Sequence, residues 1–135
     1  MSVLGATRRD TQIIGVVGIA HLLSHYYQFV LPPVFVLIAA DLGVSFIALG
    51  SMMGVLFLTS ALCQTPAGFL VDRIGGRPVL FIGLFLLASA TTGYAFAPNY
   101  ETLIALSIIA GIGNSVFHPA DYSMLNASVS RAWMG

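Results

Sequence analysis

His21, His25, Gln28 and Pro32 fall at i, i+4, i+7 and i+11, a spacing that sets side chains on one face of an α-helix. Ser107, Gly111, Asn114, His118 and Asp121 follow the same rule at i, i+4, i+7, i+11 and i+14. Imidazole titrates near neutral pH, and Asp121, one turn beyond His118, offers a second proton site. The chemistry open to these residues is proton exchange, contact with a polar solute, or hydrogen bonding between helices. No metal site is expected, because no cysteine or third histidine is placed to complete one with His21 and His25. Catalysis is not expected either. There is no Ser-His-Asp set, no H-E-x-x-H run and no phosphate-binding loop, so neither hydrolysis nor ATP drive has residues to carry it, and no cofactor is implied.

The elements that carry these residues are dictated by composition. Of 135 residues 58% are hydrophobic and only 7% charged, against about 25% charged in a soluble domain. Mean hydropathy is +0.94. The chain is therefore expected to be an all-α membrane protein, with spans of about 20 apolar residues as its units. Four spans are predicted, at about 13–40, 46–70, 79–96 and 103–125, forming one partial transmembrane bundle over 1–135. Pro32 and Pro33 should kink the first span. Gly50 and Gly54 make a small-xxx-small pair against which another helix could pack closely. The lone Cys63 reads as an inert packed thiol.

A polar side chain facing lipid is costly, so the stripes on the first and fourth spans should face the bundle interior or a water-filled cavity. The third span, nearly free of polar atoms, is the natural lipid-facing helix. Prolines and glycines interrupt both striped spans, at Pro32-Pro33 and at Gly111, Gly113 and Pro119, a pointer to a transporter's binding site.

Net charge is zero and gives no sign of a nucleic-acid partner. The placement of charge is more telling. Alternating the connections puts Arg8, Arg9, Arg73, Arg77 and Arg131 on one side and Asp41 and Glu101 on the other. Positive charge marks the cytoplasmic side, so both termini and the 68–80 connection are expected there. Trp133 reads either as an interfacial anchor or as a tail residue.

That connection, Gly68-Phe-Leu-Val-Asp-Arg-Ile-Gly-Gly-Arg77, resembles the loop between the second and third helices of the major facilitator superfamily, G-x-L-A-D-R-x-G-R-R. Gly68, Leu70, Asp72, Arg73, Gly75 and Arg77 match; Val71 replaces a small residue and Gly76 a basic one. The run Gly111 to Pro119, with His21-Leu-Leu-Ser-His25 ahead of it, is similar to the fosmidomycin-resistance type members, which are antibiotic efflux pumps and their relatives. Ser107 stands where many members carry an arginine, so an arginine-centred coupling scheme does not transfer.

The resemblance implies twelve helices in two six-helix halves, of which four spans form part of the first half. The remainder of the transporter is then a missing partner, alongside the lipid bilayer, a small-molecule substrate and protons. It also implies proton-coupled efflux by alternating access in the cell (inner) membrane. Gly68, Asp72, Arg73, Gly75 and Arg77 would form a conformational latch meeting the other half, or a solvated turn that only fixes topology. His21, His25, Gln28, Asn114, His118 and Asp121 are the candidates for the substrate or proton pathway, against purely structural hydrogen bonding. The competing expectation is a standalone four-helix subunit or scaffold that transports nothing.

Overall fold

The protein, described here from a computed structural model, is seen over residues 3–129, with side chains for 8–127 and Val129; Arg131 and Trp133 lie outside the described residues. In chain order it forms α1 (Val3–Phe29), a 3-10 turn (Pro32–Val34), α2 (Phe35–Leu42), α3 (Phe46–Ile74), α4 (Gly76–Tyr94), α5 (Tyr100–Asn114) and α6 (Phe117–Ser128). Four stretches are long and apolar enough to cross a membrane: Arg8–Leu42, Phe46–Ile74, Gly76–Tyr94 and Tyr100–Ala127.

Proline breaks two of these stretches. Pro32 and Pro33 bring no N–H to the carbonyls four residues back, so α1 stops at Phe29 and the chain turns through Leu31, whose carbonyl accepts from the Val34 N–H at 2.9 Å. In the fourth stretch Pro119 cannot donate to Ser115, and Ser115 and Val116 leave the α-helix between α5 and α6. The Ser115 hydroxyl instead donates to the Ile112 carbonyl at 2.7 Å. Pro66, by contrast, sits inside α3 without ending it.

Two helix starts carry side-chain caps. Ser45 Oγ accepts from the Ala48 N–H at 3.1 Å to start α3, and Asn99 Oδ1 accepts from the Thr102 N–H at 2.9 Å to start α5. Between α3 and α4 the chain reverses at Gly75, whose φ of 89° is open to glycine and strained for other residues. The 68–80 connection is therefore a single-residue reversal. Asp72 and Arg73 belong to the last turn of α3 and Arg77 to the first turn of α4.

Packing centres on α5, which lies against both α3 and α4. Backbones meet at Gly83 and Gly113: a β-carbon on either would stand 2.7 Å from the other's carbonyl oxygen. One on Gly111 would stand 2.6 Å from the Leu56 carbonyl oxygen of α3. The Gly50 and Gly54 pair does not serve this purpose within the chain. Both are exposed, and nothing lies within 4 Å of a β-carbon at either. The pair stays open on α3 as a surface that a further helix can approach.

Burial on α4 follows Gly76, Val79, Gly83, Leu87, Ala90 and Tyr94, while Phe81, Ile82 and Phe85 face outward. The third span is thus half core and half apolar exterior. α1 has the opposite sense to a soluble amphipathic helix. It buries Asp10, Ser24 and Gln28 along with Val17, and exposes Val16, Ile19, Leu22 and Tyr26. In lipid that arrangement is the favourable one, since polar atoms find partners inside and apolar ones meet hydrocarbon.

Candidate functional site

α1 lies along α6, and the contact brings together side chains a hundred residues apart. His21 Nδ1 stands 2.8 Å from Asp121 Oδ2. The other ring nitrogen of His21, Nε2, stands 3.1 Å from His25 Nε2 one turn along the same helix. Asp121, His21 and His25 therefore form one unbroken hydrogen-bonded line, running from a side chain 10% exposed through one 33% exposed to an exposed imidazole. The His118 ring packs 5.3 Å from that of His21 without a hydrogen bond to the line. Asp121 Oδ1 is buried and has no hydrogen-bond partner among the described residues.

One turn further along α1, a second line crosses three helices. Gln28 Nε2 donates to Asn114 Oδ1 at 2.7 Å, and Asn114 Nδ2 donates to Ser60 Oγ at 2.9 Å. All three residues are buried, so each amide and hydroxyl gains a partner in place of water. Asn114 can take part because it ends α5 just before the kink. Ser24, also buried, donates back to the His21 carbonyl at 2.8 Å and makes no contact across the bundle through that bond.

Between the two lines is a cavity of about 180 Å³, walled by His21, His25, Gln28, Ser60, Asn114 and His118, with Gln64 of α3 at its side. Its apolar lining comes from Phe57, Ala61 and Phe117. It presents imidazoles, amides and a hydroxyl, with no fixed cation in its wall. Such a lining can hydrogen-bond a polar solute and gain positive charge only by taking up protons.

Of the expected pathway residues, His21, His25, Gln28, Asn114 and His118 all line this cavity, and Asp121 reaches it through His21. The stripe from Ser107 to Asp121 is nonetheless divided. Ser107 shares a hydrogen bond with the Tyr94 hydroxyl of α4 at 2.9 Å, and Gly111 lies against Leu56 and Thr59 of α3. Only Asn114, His118 and Asp121 turn toward α1. Asp121 also pairs with a different histidine from the one next to it in sequence. Ser60 and Gln64, one turn apart on α3, line the cavity too, and their i, i+4 relation is the signal in the sequence that marks a shared face.

The residues of the 68–77 motif lie elsewhere. Asp72, Arg73 and Arg77 are exposed, and Gly68 and Asp72 border a separate cavity of about 500 Å³ against Pro119, Ser123 and Asn126. Among the described residues no group of three or more His, Cys, Asp and Glu side chains is disposed to hold a metal ion.

A family model described as Major Facilitator Superfamily matches residues 17–133. An uncharacterized MFS-type transporter, YfnC, of Bacillus subtilis is 29% identical over 107 residues, covering 79% of this chain and 26% of the relative. The fosmidomycin resistance protein of Escherichia coli is 26% identical over 112 residues, 83% of this chain and 28% of the relative. Multidrug resistance protein D of Escherichia coli is 36% identical over 78 residues, 58% and 20% respectively. No solved structure matches the chain. The chain spans roughly a quarter of the length of the first two relatives.

Proposed function

The chain belongs to the Major Facilitator Superfamily, and from that premise we propose that it is the N-terminal part of a secondary active transporter that exports a small organic compound in exchange for protons. The observation that carries this reading is the cavity between α1, α3, α5 and α6, lined by three imidazoles and three amides in a protein whose exterior is apolar. Ionisable side chains in membrane spans are costly, and where they gather about a cavity a solute or proton path accounts for their presence. The fosmidomycin resistance protein and multidrug resistance protein D support an antibiotic-like cargo.

In this reading His25, Gln28, Asn114 and His118 contact cargo, while His21 and Asp121 hold the exchanged proton. Gly68, Asp72, Arg73, Gly75 and Arg77 form the latch at the cytoplasmic end, where the open cavity beside Asp72 receives the remainder of the transporter. The protein sits in the cell (inner) membrane with its arginine-bearing ends in the cytoplasm. Alternating access then rocks this part of the bundle against the other half.

The test is transport by the whole transporter expressed in a drug-sensitive bacterium. Expression is expected to lower accumulation of fosmidomycin or of a multidrug-pump dye such as ethidium, and a protonophore to abolish the effect. Accumulation unchanged for both compounds would reject efflux of this cargo class. Efflux that persists under the protonophore would reject proton exchange.

A further inference from the structure

We propose that Asp121, His21 and His25 form a proton relay in which the exposed His25 ring collects the proton and the buried Asp121 carboxyl stores it. This rests on the proton-exchange reading above and assigns the route. The geometry supplies the argument. His21 uses both ring nitrogens, one toward Asp121 at 2.8 Å and one toward His25 at 3.1 Å. A neutral imidazole carries one N–H and one lone pair, so both contacts can be hydrogen bonds in only two ways.

With Asp121 ionised, His21 Nδ1–H donates to the carboxylate and His21 Nε2 accepts from His25 Nε2–H. The free nitrogen of His25, Nδ1, can then take a proton from the cavity. In the shift that follows, the N–H bond at His25 Nε2 breaks as one forms at His21 Nε2, and the N–H bond at His21 Nδ1 breaks as an O–H bond forms at Asp121 Oδ2. The product is a neutral carboxyl donating to His21 Nδ1 and a neutral His21 donating to His25 Nε2. One proton has entered, none has been lost, and the net charge of the line has gone from −1 to zero by this count. The reverse sequence returns the proton to the cavity.

Other charged groups do not interrupt the line. α6 adds His118, whose ring lies 5.3 Å from His21, and Tyr122, which borders with His21, His118 and Asp121 a cavity that His25 does not line. α3 and α5 present only uncharged Ser60, Gln64 and Asn114 to the cavity. α4 contributes Arg77, which lies with Arg9 and Gln12 along the opening turns of α1. The buried, unpartnered Asp121 Oδ1 is the second observation. A buried carboxylate oxygen without a donor is costly, and protonation of the same carboxyl removes the charge that makes it so. Loading also replaces a charge-assisted bond between α1 and α6 by a neutral one of about half the strength, which ties the proton to the helix contact.

Nitrogen-15 and carbon-13 labelled full-length protein in lipid nanodiscs, titrated with protons alone, tests the relay without a known cargo. The wild type is expected to show a scalar coupling between the Nε2 atoms of His21 and His25. The Asp121 carboxyl carbon should titrate in step with a tautomer change at His21. Asp121→Asn should abolish the tautomer change at His21, and His118→Gln should leave the nitrogen–nitrogen coupling intact. No coupling at any pH, or an Asp121 carbon signal that titrates without a tautomer change at His21, would overturn the relay even if proton-driven export holds. A coupled line in a protein whose export ignores the protonophore would reject the exchange reading and leave the relay standing.

Discussion

Gln28, Asn114 and Ser60 show what a polar residue gains by lying inside the bundle. Gln28 donates to Asn114 at 2.7 Å and Asn114 to Ser60 at 2.9 Å, tying α1 and α3 through the end of α5. Hydrogen bonds between membrane helices contribute about 0.6 kcal/mol on average and up to about 1.7 kcal/mol. Gln28→Leu leaves the Asn114 carbonyl without its donor and is expected to destabilise the protein by about 1 kcal/mol. Asn114→Leu removes both bonds and should cost more. The double variant should cost less than the sum of the two, read from denaturant unfolding of the detergent-solubilised protein; strict additivity would show that the two amides do not interact. The residues of this line except Ser60 were legible as candidates because spacing reveals a shared face. Their partners were not. Asp121 looked like the companion of His118, one turn away, yet its carboxylate bonds His21 across the helix contact, because spacing along one helix says nothing about which helix lies opposite.

At the level of elements, proline is an incomplete signal, since Pro66 sits inside α3 without ending it, and glycine an ambiguous one. Pro32, Pro33 and Pro119 each coincide with a break, since a missing N–H and a ring against the preceding turn act locally and need no partner. Gly50 and Gly54 carry the same sequence spacing as many close helix contacts, yet they face open space, while close backbone approaches join Gly83 with Gly113 and Gly111 with Leu56. Their roles depend on where the α3, α4 and α5 axes approach, which no single stretch encodes. Two substitutions separate the cases. Gly83→Ala places a methyl 2.7 Å from the Gly113 carbonyl oxygen and is expected to destabilise by about 1–3 kcal/mol. Gly54→Ala meets nothing and is expected to be neutral or stabilising by up to about 1 kcal/mol through helix propensity. Thermal unfolding in the same detergent compares them directly; equal effects would mean that α4 and α5 do not cross at these glycines.

For the whole molecule, the distribution of apolar and charged surface defines how it sits in a membrane. Phe81 and Phe85 on α4, Leu58 and Leu62 on α3, and Leu22 and Tyr26 on α1 are exposed on separate helices, more apolar surface than a water-soluble monomer ordinarily shows. Lipid or the remaining helices of a longer transporter would cover such surfaces. Charge then sets direction. The helix order places Arg8, Arg9, Arg73 and Arg77 at one end, with Arg9 and Arg77 bordering the same groove, and Asp41 in the last turn of α2 and Glu101 in the first turn of α5 at the other. An excess of arginine in short connections marks the cytoplasmic side, so Asp41 is expected outside the cell membrane and Ile74 inside. Cys63→Ser removes the one thiol of these 135 residues, and in a background freed of any further cysteine Asp41→Cys and Ile74→Cys each place one reporter at an exposed position. A membrane-impermeant maleimide added to intact spheroplasts should label the thiol at position 41 and spare that at position 74 until the membrane is opened. The reverse pattern would place the arginine end outside and put the Asp72 motif on the wrong side for a cytoplasmic latch. Labelling of both sites in intact spheroplasts would mean that the four stretches do not cross the membrane in alternation.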